Sequence, residues 1–172
     1  MEQVNVTIFS YVDTYDRILG TADHLLTKGV DAAEFRGVSE PEMLDWRLIE
    51  NMHPLRFQLA TVCTVSQQWL ARAADISPPQ KCDDQSDVAG FRDAIIGARA
   101  FATSLREAQF EGRADVDFRY AITPEMELVL PLSRWLSVFV TTNMYFHLST
   151  AYGILRAHGA SLGKADLFPL GL

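Results

Sequence analysis

The residues of this sequence best suited to chemistry are a histidine and its polar neighbours in "NMYFHLSTAYGILRAHG", Asn143 to Gly159. Positions three and four apart share one face of a helix, so Asn143 and Thr150 lie beside His147. A metal site in a helical bundle needs several ligands that converge from facing helices, and catalytic zinc takes three from the protein. The spacing of four around His147 offers only Asn143 and Ala151, so the sequence favours a hydrogen-bonded histidine over a metal ligand.

The other three histidines lie on other helices or at helix ends. His24 falls on the polar side of the first predicted helix, and His158 falls at a helix end, where a positive charge is favoured. His53 precedes the second helix, from which its side chain could reach the upper part of the bundle. We therefore predict a small-molecule-binding or structural bundle, without metal or cofactor. Its predicted pocket lies between the last helix, the second helix and the segment "DWRLIENMHPL". Its predicted lining is Trp46, His53, Trp135, Asn143 and His147.

Two alternatives to this interpretation stay open. In the first, His147 and His53 join a carboxylate, Asp45 or Glu50, around one ion, and the protein is a metal-dependent hydrolase or transferase. In the second, the protein acts only through its surface on a partner. The small number of ligands around His147 favours a role other than catalysis, but the sequence does not decide whether the protein is an enzyme.

Other catalytic groups give weaker signals. Cys63 lies in the middle of a helical pattern and is expected to be a buried, inert thiol. Cys82 lies in a polar loop before two aspartates, which raise the pKa of a thiol, and is expected to have no role. The chain has no "GxSxG" elbow and no phosphate-binding loop. The three tryptophans are expected to anchor the core rather than to stack on a ligand.

Composition excludes several classes of protein. The chain has 172 residues, which suits one domain, residues 1–172, with a real core. The net charge of −7 argues against binding to nucleic acid or to an anionic membrane surface. No apolar run reaches the ~18 residues of a spanning helix, and the start shows no signal peptide. With two cysteines and no disulfide framework, a cytoplasmic protein is expected.

The hydrophobic pattern predicts the elements that position these residues. Apolar residues repeat at helical period in four stretches, and they alternate with polar residues around "VDFRYAITPEMELVLPL", which predicts a hairpin turning at "TPE". The predicted helices are Val4 to about Lys28, stopped by Gly29; one opened by Pro54; one capped by Ser86 or Asp87; and Pro131 to about His158, stopped by Gly159. Residues 30–53 form a long, ordered crossover with a helical turn at Pro41 to Asp45. These elements predict an all-α, up-down four-helix bundle, with the crossover between the first two helices and the hairpin before the last.

The last helix carries two apolar stripes. The first, which contains His147, comprises Leu132, Trp135, Leu136, Phe139, Asn143, Phe146, His147, Thr150 and Ile154. The second comprises Val138, Tyr145, Leu148, Tyr152 and Leu155. A helix that is apolar on two sides is buried on two sides, so the second stripe predicts a homodimer whose interface contains Tyr145, Leu148, Tyr152 and Leu155.

Two segments of the chain resemble a known family. The run "NMYFHLSTAYGILRAHGASLGKADL" resembles the end of proteins in the domain-of-unknown-function 1993 group, and "ENMHPLRFQLATVC" resembles their entry into the second helix. The hydrophobic layout of the first helix also fits, so the resemblance covers nearly the whole chain. The group is similar to the DinB/YfiT-like superfamily of four-helix bundles, in which many members are proposed metalloenzymes.

The resemblance implies an up-down bundle, often paired as a homodimer. In the wider superfamily three histidines bind a metal, one from the second helix and two, four residues apart, from the last. This sequence keeps His147 of the last-helix pair, with Asn143 or Ala151 at the other position. After the cysteine that matches Cys63, the group often shows Asp-His, where this chain has threonine and valine. The resemblance therefore implies the fold with a depleted ligand set, and the superfamily's metal-dependent thiol transfer is not carried over.

Overall fold

The computed structural model describes residues 7–171 and contains six α-helical segments and one antiparallel hairpin in that range. The predicted helical residues 4–6 lie outside the described residues. The α-helices are α1 (Ser10–Arg36), α2 (Glu40–Leu44), α3 (Leu55–Ala73), α4 (Val88–Ser104), α5 (Leu132–Arg134) and α6 (Thr141–Ala157). The strands are β1 (Asp117–Thr123) and β2 (Met126–Pro131), and a π-helix, Trp135–Val140, joins α5 to α6. Two 3-10 turns, Glu107–Phe110 and Lys164–Leu167, complete the described elements.

Four long helices enclose the core, which confirms the predicted bundle. α1 and α3 each pack against both α4 and α6, and they contact each other less, so they stand at opposite corners of the bundle. Because the first two long helices are diagonal neighbours, the chain needs a long connection between them, and residues 37–54 supply it. The predicted helical turn in this crossover is confirmed as α2, which the Ser39 hydroxyl caps by accepting a hydrogen bond from the Glu42 N–H.

The first helix runs eight residues beyond its predicted end. It stops at Gly37, which adopts a left-handed conformation with φ of 66°. Gly29, the predicted stop, is buried inside the helix because other side chains approach its backbone closely. A Cβ atom at this position would lie 2.9 Å from both a Leu155 methyl carbon and the Met43 sulfur. Gly29 therefore serves the packing of α1 against α2 and α6, and not the end of the helix.

We expect this packing to appear in the stability of glycine-to-alanine variants. Alanine usually stabilises a helix interior by about 0.5–1 kcal/mol relative to glycine, and this gain is expected for Gly97→Ala, where no atom lies near the added methyl group. Gly29→Ala is expected to lower the free energy of unfolding by about 1 kcal/mol, because overpacking outweighs the gain. Urea denaturation of both variants measures the difference. Equal stabilisation by the two substitutions would contradict close packing at Gly29.

The hairpin is confirmed between β1 and β2, with Phe118 paired to Leu130 and Tyr120 paired to Leu128. Phe118 and Tyr120 turn towards the bundle, as the alternation predicts, and meet the side chains of Trp69, Trp135 and Phe139. We call Trp69, Phe118, Tyr120, Trp135 and Phe139 the aromatic cluster. The guanidinium of Arg72 lies 5.0–5.7 Å from three of its rings, so the cluster combines apolar burial with cation–π contacts. The aromatic cluster packs the hairpin against α3 and against the start of the last helix.

The π-helix changes the side of the last helix that faces the core. Its wider turn bonds the Thr141 N–H to the Leu136 carbonyl, five residues earlier, and the Tyr15 hydroxyl donates to the same carbonyl at 2.9 Å. Beyond this turn the buried positions include Val140, Met144, Leu148, Ala151 and Leu155. Beyond Leu136 the predicted core stripe is confirmed at Thr150 and Ile154, which are buried. Phe139, Asn143 and His147 are half-buried, and the prediction is wrong at Phe146. Phe146 is 59% exposed, because one wide turn rotates the following residues around the helix axis.

No helix within residues 7–171 is both long enough and apolar enough to cross a membrane.

Candidate functional site

His147 on α6 is hydrogen-bonded to the side chain of Gln58 on α3. The His147 Nδ1 atom lies 2.7 Å from the Gln58 Oε1 atom, and the Gln58 Nε2 atom donates to the His53 carbonyl at 2.9 Å. The second bond fixes the orientation of the amide, so its oxygen faces the imidazole. An amide oxygen only accepts hydrogen bonds, so Nδ1 carries the proton and Nε2 of a neutral His147 keeps its lone pair.

Aromatic rings surround this histidine on both sides. The Phe57 ring contacts both histidines, stacked on His53 at 3.9 Å and edge-on to His147 at 5.9 Å between ring centroids. The Phe146 ring meets the His147 ring edge-on at 5.2 Å. We call His53, Phe57, Gln58, Phe146 and His147 the histidine cluster. Within this cluster, the Nε2 atom of His147 is a polar atom next to apolar rings.

The setting keeps His147 neutral. Burial lowers the pKa of His147, and the charge that His53 carries when protonated lowers it further, to about 4. Within residues 7–171 no buried side-chain nitrogen or oxygen lacks a hydrogen-bond partner, and no bond to the His147 Nε2 atom occurs there. The Nε2 atom is therefore not fully buried and keeps some contact with solvent. At neutral pH the cluster presents an accessible hydrogen-bond acceptor, not a cation.

The donor set does not fit the three-histidine metal site of the superfamily. Among the described residues, no three His, Cys, Asp or Glu side chains are grouped closely enough to hold an ion. On α6 the neighbouring positions are occupied by Asn143, which is half-buried, and by Ala151, which is buried. On α3 the side chain that faces His147 is the amide of Gln58. That the protein binds no metal in solution stays a prediction.

The carboxylates of the alternative metal site have other surroundings. Asp45 accepts a hydrogen bond from the Arg56 guanidinium at 2.8 Å, and Glu50 is exposed. Neither belongs to a group of potential ligands with His53 or His147 in the described residues. The geometry thus offers no carboxylate to complete a site around the two histidines.

Of the five residues predicted to line one pocket, the structure brings together His53 and His147, whose rings both contact Phe57. Trp46 is buried and stacks on the His158 ring at 4.5 Å. Trp135 is fully buried in the aromatic cluster, where its Nε1–H donates to the Phe118 carbonyl at 2.8 Å. Both tryptophans therefore use their rings in contacts inside the chain.

Sequence reasoning missed Phe57, Gln58 and Phe146. Gln58 carried a signal, since this polar residue stands three positions after Leu55 on the apolar face of α3 and is only 3% exposed. A buried amide on such a face needs a polar partner from another helix, and His147 was the available candidate. Phe146 carried no signal, because the π-helix alone moves it from the core to the surface.

The π-helix also changes which residues of the predicted dimer stripe are exposed. Leu148 and Leu155 are buried by the helices of their own chain, so they offer no area to a second subunit. Tyr152 is half-buried, and Tyr145 is 48% exposed. Beside Tyr145, the exposed apolar side chains of this helix are Val138 and Phe146.

The helix order, the long crossover and the hairpin define a DinB-like four-helix bundle. The chain belongs to the family described as domain of unknown function (DUF1993), whose model matches residues 9–168. Among solved structures, it is similar to a DinB family member protein from Shewanella denitrificans, with 25% sequence identity and a TM-score of 0.82. That match covers 91% of this chain and 88% of the other. No curated protein matches the sequence.

Proposed function

We propose that this protein is a homodimeric, small-molecule-binding bundle that lacks the three-histidine metal site of its superfamily. The observation that carries the proposal is the Gln58–His147 hydrogen bond, which holds the imidazole in one tautomer with an accessible Nε2 lone pair. The buried amide of Gln58 thereby orients the imidazole, as a metal ion would do in a metal site. The histidine cluster is suited to binding, with one acceptor fixed in direction.

The chemistry of the cluster indicates the class of ligand. An unprotonated Nε2 atom accepts a hydrogen bond from an O–H or N–H group, and its lone pair repels a carboxylate or phosphate oxygen. The Phe57 ring, and the Phe146 ring that is 59% exposed, offer apolar contacts to the body of the ligand. The proposed ligand is therefore a small, uncharged, partly apolar molecule with a hydroxyl or N–H donor. With a pKa of about 4, His147 is also a weak general base at neutral pH, which favours binding over proton-transfer catalysis.

Phenol and toluene are suitable probes because they share size and shape while only phenol donates a hydrogen bond. We expect phenol to bind the wild-type protein about tenfold more tightly than toluene, as one buried hydrogen bond of about 1.4 kcal/mol requires. In His147→Leu the preference is expected to disappear, because the acceptor is lost. Chemical-shift titrations of the labelled protein measure both affinities. Equal binding of the two probes by the wild type, or an unchanged preference in the variant, would contradict the proposal.

The metal-dependent alternative predicts a different composition of the purified protein. Elemental analysis of protein prepared without a histidine tag is expected to find no stoichiometric zinc, nickel or iron. About one ion per chain, lost in His147→Ala, would instead establish a metal-dependent hydrolase or thiol transferase that uses His147.

The proposed dimer uses the exposed apolar side chains Val138, Tyr145 and Phe146 of the last helix. Phe146 belongs to the histidine cluster, so a second copy seated here would cover the ligand and exclude water from the acceptor. Sedimentation of the wild type at micromolar concentration is expected to give a dimer. Tyr145→Asp is expected to weaken association about tenfold, because it places a charge in an apolar contact.

Ile96→Asp on α4 is the matched control for the dimer, since Ile96 is 63% exposed but lies on another helix. This variant is expected to associate like the wild type. A wild-type protein that is monomeric at micromolar concentration would contradict the proposed dimer. Equal weakening of association by both aspartate substitutions would show that the interface does not lie at Tyr145.

A further inference from the structure

The loop between α3 and α4 is held against α3 by side chains from successive turns of that helix. The Thr64 hydroxyl accepts a hydrogen bond from the Cys82 N–H at 3.1 Å, and the Gln68 amide donates to the Pro79 carbonyl at 3.0 Å. Arg56 reaches the Asp84 carbonyl at 3.5 Å. These bonds fix the backbone of Cys82 beside the helix residue that follows Cys63.

This arrangement brings the two cysteines of the chain together. Cys63 is 1% exposed, and the half-buried Cys82 packs against the core from the loop. Both are free thiols, and the Cys82 N–H is bonded to the residue that follows Cys63, so the two thiols lie close enough for each to shift the pKa of the other. Cys82 also lines a surface groove of about 270 Å³ between α3 and the loop, together with Phe57, Thr61 and Lys81. The Cys82 thiol is thus accessible from solvent, whereas the Cys63 thiol is buried.

The two neighbouring thiols differ in pKa. The neighbouring Cys63 thiol lowers the pKa of Cys82, and its effect outweighs burial and the neighbouring aspartates, which raise it. The neighbouring Cys82 thiol and burial raise the pKa of Cys63. Cys82 therefore combines a lowered pKa with access to solvent, as do cysteines that react with oxidants. The sequence alone predicts a buried, inert Cys63 and a loop Cys82 without a role, and it gives no sign that the loop folds back on α3.

We infer that Cys63 and Cys82 form a reversible intramolecular disulfide when the protein meets a peroxide. The Cys82 thiolate attacks one oxygen of hydrogen peroxide, the O–O bond breaks, and hydroxide leaves with the electron pair while Cys82 becomes a sulfenic acid. The Cys63 sulfur then attacks the Cys82 sulfur, the S–O bond breaks, and the hydroxyl leaves as water with the Cys63 proton. Two thiols are oxidised and one peroxide is reduced to two waters. A dithiol reverses the change through a mixed disulfide.

The reaction needs only a short movement of the thiols. A disulfide requires sulfur atoms about 2.05 Å apart, so the two neighbouring thiols must approach each other further. Rotation of the half-buried Cys82 side chain can supply this movement, whereas Cys63 is buried in α3. The product would tie the loop to the helix beside Phe57, one face of the histidine cluster, although the inference does not depend on the proposed function.

The test uses the full chain treated with hydrogen peroxide, followed by iodoacetamide in denaturant and mass spectrometry. We expect the wild type to lose about 2 Da, to take up no iodoacetamide and to yield a peptide pair linked through Cys63 and Cys82, all reversed by dithiothreitol. In Cys63→Ser the sulfenic acid at Cys82 is expected to persist and to react with dimedone. In Cys82→Ser the oxidation of Cys63 is expected to be at least tenfold slower, because Cys63 is buried.

Two results would overturn the inference. One is a wild-type protein that retains two alkylatable thiols after treatment that forms the disulfide in the unfolded chain. The other is oxidation of Cys82 to sulfinic or sulfonic acid while Cys63 stays free. Both are measured on the wild type, so the test holds even where a serine variant does not fold.

Discussion

Trp135→Ala is expected to lower the free energy of unfolding by about 3–5 kcal/mol. The Trp135 ring is fully buried and lies 5.2–5.8 Å from the rings of Trp69, Tyr120 and Phe139. Its removal leaves a cavity among side chains from three elements and also leaves the Phe118 carbonyl without the indole donor. The hairpin would lose its anchor on the bundle, so the effect is expected to be among the largest for a single substitution.

Phe35→Ala is the matched control for this prediction, since it removes an aromatic ring from α1 at a position that is 93% exposed. Its effect on stability is expected to stay within about 0.5 kcal/mol. Urea denaturation followed by circular dichroism compares both variants with the wild type. A loss below about 1 kcal/mol in Trp135→Ala would show that the aromatic cluster does not anchor the hairpin.

His147 is expected to make the protein less stable as the pH falls from about 6.5 towards 4. The folded chain lowers the pKa of His147 to about 4, because burial and the charge on His53 oppose protonation. The unfolded chain binds the proton at about pH 6.5, so acid favours unfolding in this range, and the neutral form contributes its full stabilisation above it. The difference in pKa corresponds to about 3 kcal/mol, and the contact of Nε2 with water reduces the expected loss to about 2 kcal/mol.

His147→Asn isolates this contribution from the carboxylates that titrate in the same range. Asparagine keeps a polar group near the Gln58 amide but does not titrate. The free energy of unfolding, measured by urea denaturation at several pH values, should therefore fall less steeply with acid in the variant. Parallel curves for the two proteins would show that His147 is not held neutral by the fold.

The fold could be predicted from the sequence because it depends on local signals. Periodic apolar residues predicted the four long helices, Asp87 capped α4 as expected, and alternation around Phe118 and Tyr120 predicted the hairpin. Gly29 misled the prediction because a glycine that ends a helix and a glycine that admits a close neighbour look alike in sequence. The distinction depends on Leu155 and Met43, which approach from other elements.

The candidate site could be predicted only in part, for two physical reasons. The π-helix rotates every residue after Leu136, and the bonds that hold it, from Tyr15 and Thr141, involve residues far apart or at an unusual spacing. The partner of His147 comes from α3, 89 positions earlier, and no helical period connects the two. The thiol pair depends in the same way on how a loop folds back on its helix.

The most direct test of this account is nitrogen-15 NMR of the His147 imidazole, in protein prepared without a histidine tag. The account predicts the neutral tautomer with the proton on Nδ1 from about pH 7 down to about pH 5, unchanged when zinc is added at one equivalent. A proton on Nε2, protonation near pH 6.5, or a shift of either nitrogen on binding zinc would contradict it.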